Sequence, residues 1–401
     1  MLNFDSLKLS VEAASGGKQT VIFDDRGLPS IMYRIPKLRS SDLFVGGSPT
    51  THPAFIVNGT EVDEILVSVY QNIVVDDRAY SLPYKDPRVY VNFDQAKTAC
   101  EAKGRGWHLM TNAEYAALAL WCKKNGYMPR GNNYCGHDVD HRWEAGVESY
   151  DWILDYNWNN MANRQEGTNF HHTGRVYTGS GPVGWRHDGT ASGIDMLNGN
   201  VWEWSAGFRL VDGEIQVIPN NNAAAAIDQS LNSGLWKAVM PNGSLVTPGT
   251  NGTLKFDYLT TPAVGGKFQL ATALTNKQTT EDPYGYQTFE STAAKSGVTV
   301  PELLKALAIM PADSESHGGD GYWMRNVGER LPLRGGEWVT ASSGVFALMV
   351  RHSRAETFNS VGFRSALSLT VRSGGPMGPA PVHREKGIYF RTWRGSGWKN
   401  K

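Results

Sequence analysis

Apolar and polar positions along the chain change rhythm several times, and each rhythm predicts a different kind of element. Residues 1 to 45 alternate weakly: Leu7-Lys8-Leu9-Ser10-Val11, then Gly16-Gly17, then Val21-Ile22-Phe23 before Asp24-Asp25-Arg26-Gly27. Alternation of period two between turn signals reads as a small β element. It is too short to bury a core of its own, so it is expected to pack on a neighbour. Gly46-Gly47-Ser48-Pro49 marks the junction. Next, Ala54-Phe55-Ile56-Val57, Asn58-Gly59 and the apolar run 65–70 predict a hairpin. The tract 93–104 predicts a helix, with Asp94 placed to cap its start and Gly104 to end it. A second helix is better marked. Thr111-Asn112-Ala113-Glu114 is a capping box, Ala116, Ala117, Leu118, Leu120 and Trp121 follow, and Asn125-Gly126 stops it.

From 127 to 210 periodicity fades and Gly, Asn, His and Trp dominate. A stretch that long without regular pattern implies a fold built on packed loops. From 212 to 330 the texture changes again, to short β-like pieces and one helix entered at Thr299-Val300-Pro301-Glu302 and running to Met310; this reads as a large insertion within one domain. Residues 331–371 are strand-like and aromatic. The tail, 372–401, holds seven Lys and Arg against Glu385 alone, with Tyr389, Phe390, Trp393 and Trp398 among them. The expected organisation is therefore an N-terminal β attachment element (1–45), a main domain (46–371) and a basic aromatic tail (372–401).

Composition narrows the class. Lys plus Arg equals Asp plus Glu at 39 each, which argues against a nucleic-acid binder working through a generally basic surface. The chain is 40% hydrophobic and 19% charged, as a folded globular protein is. With 44 Gly and 19 Pro beside many aromatics, a turn-rich α+β body is expected rather than a helical bundle. No uninterrupted apolar run reaches the length of a membrane span, so no membrane insertion is expected. The first nineteen residues lack a basic region followed by an apolar one, so no signal peptide is expected. Cys100, Cys122 and Cys135 are odd in number and form no CxxC, which argues for reduced, partly buried thiols in a chain made in a cytoplasm.

Three segments together resemble the sulfatase-modifying (formylglycine-generating enzyme) version of the C-type lectin fold. The run 106–116, GWHLMTNAEYA, is similar to that family's helix entry, with Met110 where Pro is usual. The run 193–204, GIDMLNGNVWEW, matches its D-x-x-G-N-V-W-E-W signature. Leu333-Arg334-Gly335-Gly336-Glu337-Trp338, followed by Val361-Gly362-Phe363-Arg364, matches R-G-G-S-W and G-F-R. On the residues themselves, Trp202 and Trp204 fall on one side of a strand and Val201 and Glu203 on the other. The paired tryptophans and Trp338 would anchor loops. Gly335, Gly336 and Gly362 would allow positive φ or close backbone approach. Arg334 and Arg364 would act as structural fork donors.

The resemblance also implies chemistry that the residues limit. Family members that make formylglycine use a C-terminal cysteine pair as a copper site, and this chain has no cysteine after Cys135, so no enzymatic activity of that kind is expected. Related iron enzymes use a His and carboxylate set. The candidates would be His137-Asp138-Val139-Asp140-His141 and His171-His172, neither with a spacing of firm metal geometry. A metal-dependent oxidative enzyme of this superfamily is the alternative reading. No cofactor is expected except a structural Ca2+, which the resemblance would place at Asn200 and Glu203.

The window 337–367 is similar to the variable region of diversity-generating retroelement target proteins, in which a frame W…G-V-F-x-L…R-S…G-F-R-x-A-L is fixed and the intervening positions vary. Read as a strand, 345–351 puts Phe346, Leu348 and Val350 toward the core and Ala347, Met349 and Arg351 outward. Candidate ligand-binding positions are Val339, Thr340, Ser342, Ala347, Met349, Arg351, His352, Glu356, Thr357, Phe358, Asn359 and Ser360, a mixture suited to a recognition patch. Adenine-directed mutagenesis of Asn codons yields no Lys, Glu, Gln, Met or Trp, so Met349 and Glu356 fall outside that route. The resemblance implies a non-enzymatic receptor-binding protein of a phage or prophage tail. It would be made in the host cytoplasm and carried on the virion, and would bind a bacterial surface receptor, protein or glycan. Residues 1–45 would meet other tail proteins. Relatives occur as monomers or trimers, so a monomer and a homotrimer both stay open. The enzymatic alternative would instead place the chain in the bacterial cytoplasm.

Overall fold

Arg364 is fully buried, and segments of both main sheets meet around it. The computed structural model describes residues 4–149, 174–260, 266–279 and 283–368; the basic tail expected from 372 onward lies outside the described residues. The described residues belong to one compact unit, Met1–Thr370. The fold is mixed α+β, with few helices, two main sheets and much loop.

The first sheet has five antiparallel strands. Strands β1 (Gln19–Phe23), β2 (Pro29–Pro36), β3 (Glu64–Ser68) and β4 (Trp107–Leu109) join the last one, Ser365–Ser368, in the order β1, β2, β3, Ser365–Ser368, β4. The N-terminal residues therefore do not stand apart as a β element; β1 and β2 extend a sheet whose other strands come from the main domain. Leu7 to Val11, which alternate as a strand would, lie instead in helix α1 (Phe4–Ala14). Gly16 and Gly17, both at positive φ, end it. Its backbone hydrogen bonds are helical rather than cross-strand, and Glu12 ties it back to β1 by accepting from the Thr20 hydroxyl at 2.6 Å.

The predicted 54–70 hairpin resolves into two parts. Ile56–Val57 pairs with Thr60–Glu61 around Asn58-Gly59, while β3 leaves to join the first sheet. Helix α2 (Phe93–Glu101) is capped by Asn92, whose side chain accepts from the Gln95 N–H, and not by Asp94. Asp94 lies in the first turn, 2.7 Å from Arg354. Helix α3 (Asn112–Lys124) carries the Thr111/Glu114 capping box that its sequence announces, with Glu114 receiving the Thr111 N–H at 2.9 Å. The helix anticipated up to Met310 spans only Glu302–Ala306; Ala308 adopts positive φ just beyond it.

The second sheet has twelve strands. Its centre is built from β5 (Trp202–Trp204), β6 (Gly285–Thr288), β7 (Gly321–Met324), β8 (Glu329–Gly335), β9 (Gly344–His352) and β10 (Val361–Phe363). β9 lies between β8, antiparallel, and β7, parallel. Residues 212–330 extend this sheet: Glu214–Val217, Lys237–Val239, Leu245–Val246, Lys255–Leu259 and Lys267–Ala271 continue it on one side and β6 and β7 on the other.

The two halves of the motif pattern meet at Arg364. Its Nε and Nη2 donate to both oxygens of Glu203, at 2.9 and 2.7 Å. Nη1 donates to the Ser68 and Val69 carbonyls and Nη2 also to that of Asp195. One side chain thus ties β3, the 193–199 loop and β5 to the start of the last strand. Buried charge of this kind is costly unless its partner and its remaining donors are all matched. Replacing Glu203 with Ala is expected to destabilise the fold by about 3–5 kcal/mol, because it strands the guanidinium; urea unfolding measures this.

A second buried cation has no carboxylate. Lys103 donates to Ser30 Oγ at 2.7 Å and sits 3.2 Å from the Trp107 ring centroid. Burial pulls its ammonium pKa from the usual 10.5 down to about 7. Between those values the unfolded chain holds a proton that the folded chain lacks, so stability rises with pH across that window and is lowest below about 7. Lys103→Met should remove this slope, up to about 1.4 kcal/mol per pH unit, and should raise stability most at acid pH; thermal melts from about pH 6 to about pH 10, which cover most of that window, check it.

Candidate ligand-binding surface

The C-terminal third of the domain folds around β9. Phe346, Leu348 and Val350 enter the larger core beside Tyr322 and Met324. Ala347 and Met349 are also buried, at 0% and 4% exposure, against Trp202, Trp204, Trp323, Leu333 and Phe363. The outward placement expected for these two from alternation is therefore corrected. Met349 pairs with Trp323 on one side and Leu333 on the other, and α2 and Phe358 roof the same face. Alternation tells which residues share a face, but not whether another layer covers that face. Arg351, at the end of the strand, is half-buried.

Loops on either side of β9 carry the other candidates. Gly335 and Gly336 adopt φ of +90° and +91°, and a Cβ on Gly336 would lie 1.9 Å from Ser343 Oγ. That tight turn lets Ser343 Oγ accept the Glu337 N–H at 3.0 Å. Trp338 is buried with Val89 and Val201, which anchors the turn and leaves Val339, Thr340 and Ser342 half-buried on it. Burial raises the Glu337 carboxyl pKa, against hydrogen bonds from Ser360, Thr340 and Trp202.

The loop 353–360 is held by its backbone. Its carbonyls at Arg354 and Phe358 accept from Phe93 and Tyr90 N–H, and that of Asn359 accepts from Arg175 Nη1 at 2.9 Å. Arg354 pairs with Glu329 and Asp94, each at 2.7 Å. Glu356 receives the Ser353 N–H and lies 2.5 Å from His352 Nδ1. Burial would raise the Glu356 carboxyl, but these partners overcome it and hold the pKa near about 2. On this frame Thr357 and Ala355 are exposed, and Glu356, Phe358 and Asn359 half-exposed. His352 and Ser360, offered as surface positions, are instead 8% exposed each; the first is roofed by Phe358 at 4.7 Å and the second is drawn in by the Trp202 N–H on its carbonyl.

Sequence reasoning missed the residues that the insertion brings here. Tyr284, Tyr286, Trp323 and Arg325 come from β6, β7 and their flanks. Tyr286 and Trp323 rings lie 5.1 Å apart, Trp323 meets Trp202 edge-on at 5.4 Å, and Tyr284 lies 4.6 Å beneath the Arg351 guanidinium. The alternation Tyr284-Gly285-Tyr286 was the available signal, but nothing local links it to β9.

The calcium placement does not fit. Asn200 Oδ1 accepts from Asn132 Nδ2 and Val176 N, and its Nδ2 donates to Gln71. Both Glu203 oxygens are taken by Arg364, and Gln71 adds a third bond. The guanidinium occupies the cation position that the carboxylate offers. In the 137–141 run, Asp138 folds its own turn, accepting from the Asp140 and His141 N–H groups. Among the described residues no group of three His, Cys, Asp or Glu could hold a metal ion; His171 and His172 lie outside them. The three cysteines are buried and form no disulfide, and no described helix is long and apolar enough to cross a membrane.

No family model matches the chain, and no curated protein matches it. Among solved structures it is similar to PvdO from Pseudomonas aeruginosa, at 13% identity, 87% of this chain, 98% of that one and a TM-score of 0.30. It is similar also to Treponema denticola variable protein 1, at 12% identity, 87% and 98% coverage and a TM-score of 0.29. The P3c variant of the Major Tropism Determinant matches at 11% identity, 87% and 71% coverage and a TM-score of 0.27.

The two classes of window position should separate by stability. Met349→Ala is expected to cost about 2–5 kcal/mol as a core truncation, whereas Thr357→Ala should stay within about 0.5 kcal/mol; chemical denaturation of both variants checks the contrast.

Proposed function

We propose that this chain is a ligand-binding protein that presents the side chains of its 339–342 and 355–359 loops, with Arg351, to a receptor on a bacterial surface. One observation carries the reading: the 353–360 backbone is fastened from three other segments while Ala355 and Thr357 stay exposed and Glu356, Phe358 and Asn359 half-exposed. A frame fastened through its backbone can accept substitutions at Ala355 and Thr357 and keep its shape, which is what a diversified recognition surface requires. The motif residues support the finer proposal of a sulfatase-modifying type of C-type lectin fold, since Glu203 of the V-W-E-W segment and Arg364 of G-F-R form one buried pair. We extend this to a retroelement-diversified tail protein that acts in several copies, where avidity lets weak single contacts suffice. Residues 1–45 would meet neighbouring tail proteins through α1, which exposes Leu7 and Leu9.

The test is binding of the purified full chain to whole cells of a panel of bacterial strains. Binding to a subset is expected, and Thr357→Lys combined with Asn359→Lys should weaken it at least about tenfold, a loss of 1.4 kcal/mol, with no change in melting temperature. Equal binding by that variant would remove loop 355–359 from the interface. Sequencing the 337–367 codons across one lineage tests diversification: identical codons throughout would count against it.

A further inference from the structure

The loop 353–360 borders a cleft that the variable window does not explain. It lies between the hairpin containing Ile73 and Val74 and the segment 86–90, with a volume of about 360 Å3. That is within the usual range for a small-molecule site. Ile73, Val74 and Val89 supply apolar lining. Buried Arg175 is clamped by Asp86, through Nε at 3.0 Å and Nη2 at 2.8 Å. The Ser149 hydroxyl also donates to Asp86, so both carboxylate oxygens are already engaged.

Two lining residues remain uncommitted. Arg88 is exposed, and its guanidinium makes no hydrogen bond or ion pair with the rest of the described protein. Its backbone is nonetheless fixed, with the N–H on the Asn72 carbonyl at 2.8 Å and the carbonyl packed against Gly362. Tyr90 is 55% exposed. It holds φ at +53°, a region that bulky residues rarely occupy. Its N–H is fastened to the Phe358 carbonyl at 2.9 Å. An exposed tyrosine held in strained backbone gains no burial in return, and such strain points toward function.

We infer that this cleft is a binding subsite for an acidic sugar residue, with the Tyr90 ring as the stacking face and Arg88 as the partner of the sugar's carboxylate. The Asp86 charge is already paired with Arg175, so the unpaired charge lining the cleft is positive and selects an anion. A phenol face beside apolar walls suits the flat apolar side of a pyranose ring. A guanidinium matches a carboxylate with two parallel hydrogen bonds. The assignment rests on the receptor-binding reading and gives that receptor a chemistry: an acidic polysaccharide, gripped by fixed residues beside a loop free to vary.

Calorimetric titration of the full chain with glucuronic acid, glucose 6-phosphate, glucose and an N-acetylated Asp-Glu dipeptide tests it. Glucuronic acid should bind about tenfold more tightly than glucose, equivalent to about 1.4 kcal/mol. Arg88→Gln should erase that preference. Tyr90→Gly should abolish binding of both sugars while the melting temperature holds or rises, because glycine relieves the strained φ. Tighter binding of glucose 6-phosphate than of glucuronic acid would overturn the carboxylate assignment. Binding of the dipeptide equal to that of glucuronic acid and unaffected by Tyr90→Gly would overturn the sugar assignment, as would no binding of any probe. If whole-cell binding still depends on residues 355–359 in those cases, the receptor-binding reading stands; if it does not, both fall.

Discussion

Leaving an N–H of a fully buried guanidinium unpaired is costly, and Arg364 avoids that cost by drawing four distant segments to one point. Glu203 supplies the counter-charge, and carbonyls of residues 68, 69 and 195 take other donors. Gln71 then bridges Glu203 to Asn200, and Asn200 closes on Asn132 and Val176. This polar network stands where a protein with more regular secondary structure would have a ladder of backbone bonds. It fixes the irregular 127–149 and 174–210 regions, which no strand periodicity could hold. Members of such networks strengthen one another and leave no cheap way to lose one.

That constraint decides where variation is tolerable. Because the core is reached from both faces of β9, the strand itself offers almost no free side chain, and exposure falls to the loops at its ends. The 353–360 loop is fastened by its main-chain carbonyls to Tyr90, Phe93 and Arg175, so its shape does not depend on the Ala355 and Thr357 side chains. The insertion is part of the same arrangement. By adding β7 in parallel alongside β9 it seals Met349 under Trp323, and it brings Tyr284 beneath Arg351. Recognition, on this reading, belongs to a few loop tips and one cleft framed by fixed residues.

Local rules served well wherever the deciding contacts are near in sequence. The Thr111/Glu114 box, the stop at Asn125-Gly126, the Asn58-Gly59 turn and the Gly335-Gly336 turn all follow from neighbours a few residues away. They failed where neighbours compete or are distant. Asn92 and Asp94 both suit a helix start, and the reciprocal bond with Gln95 favours the first. Leu7 to Val11 alternates as a strand does, yet its contacts leave it helical. For Met349 and Ala347 the pattern was real, but the layer that covers them comes from residues 90–100 and 320–324, which no spacing in the window reveals.

The sequence by itself determined the mixed α+β character, the loop-rich body, the helix entry at Thr111 and the set of buried tryptophans and arginines, because composition, capping and periodicity act over short range. Only the tertiary structure decided which side chains of the 337–367 window reach solvent, that Arg364 takes the cation position at Glu203, and that Arg88 and Tyr90 stand beside the loop with no side-chain partner among the described residues. Those facts depend on which distant surfaces pack together, and packing is a property of the assembled layers.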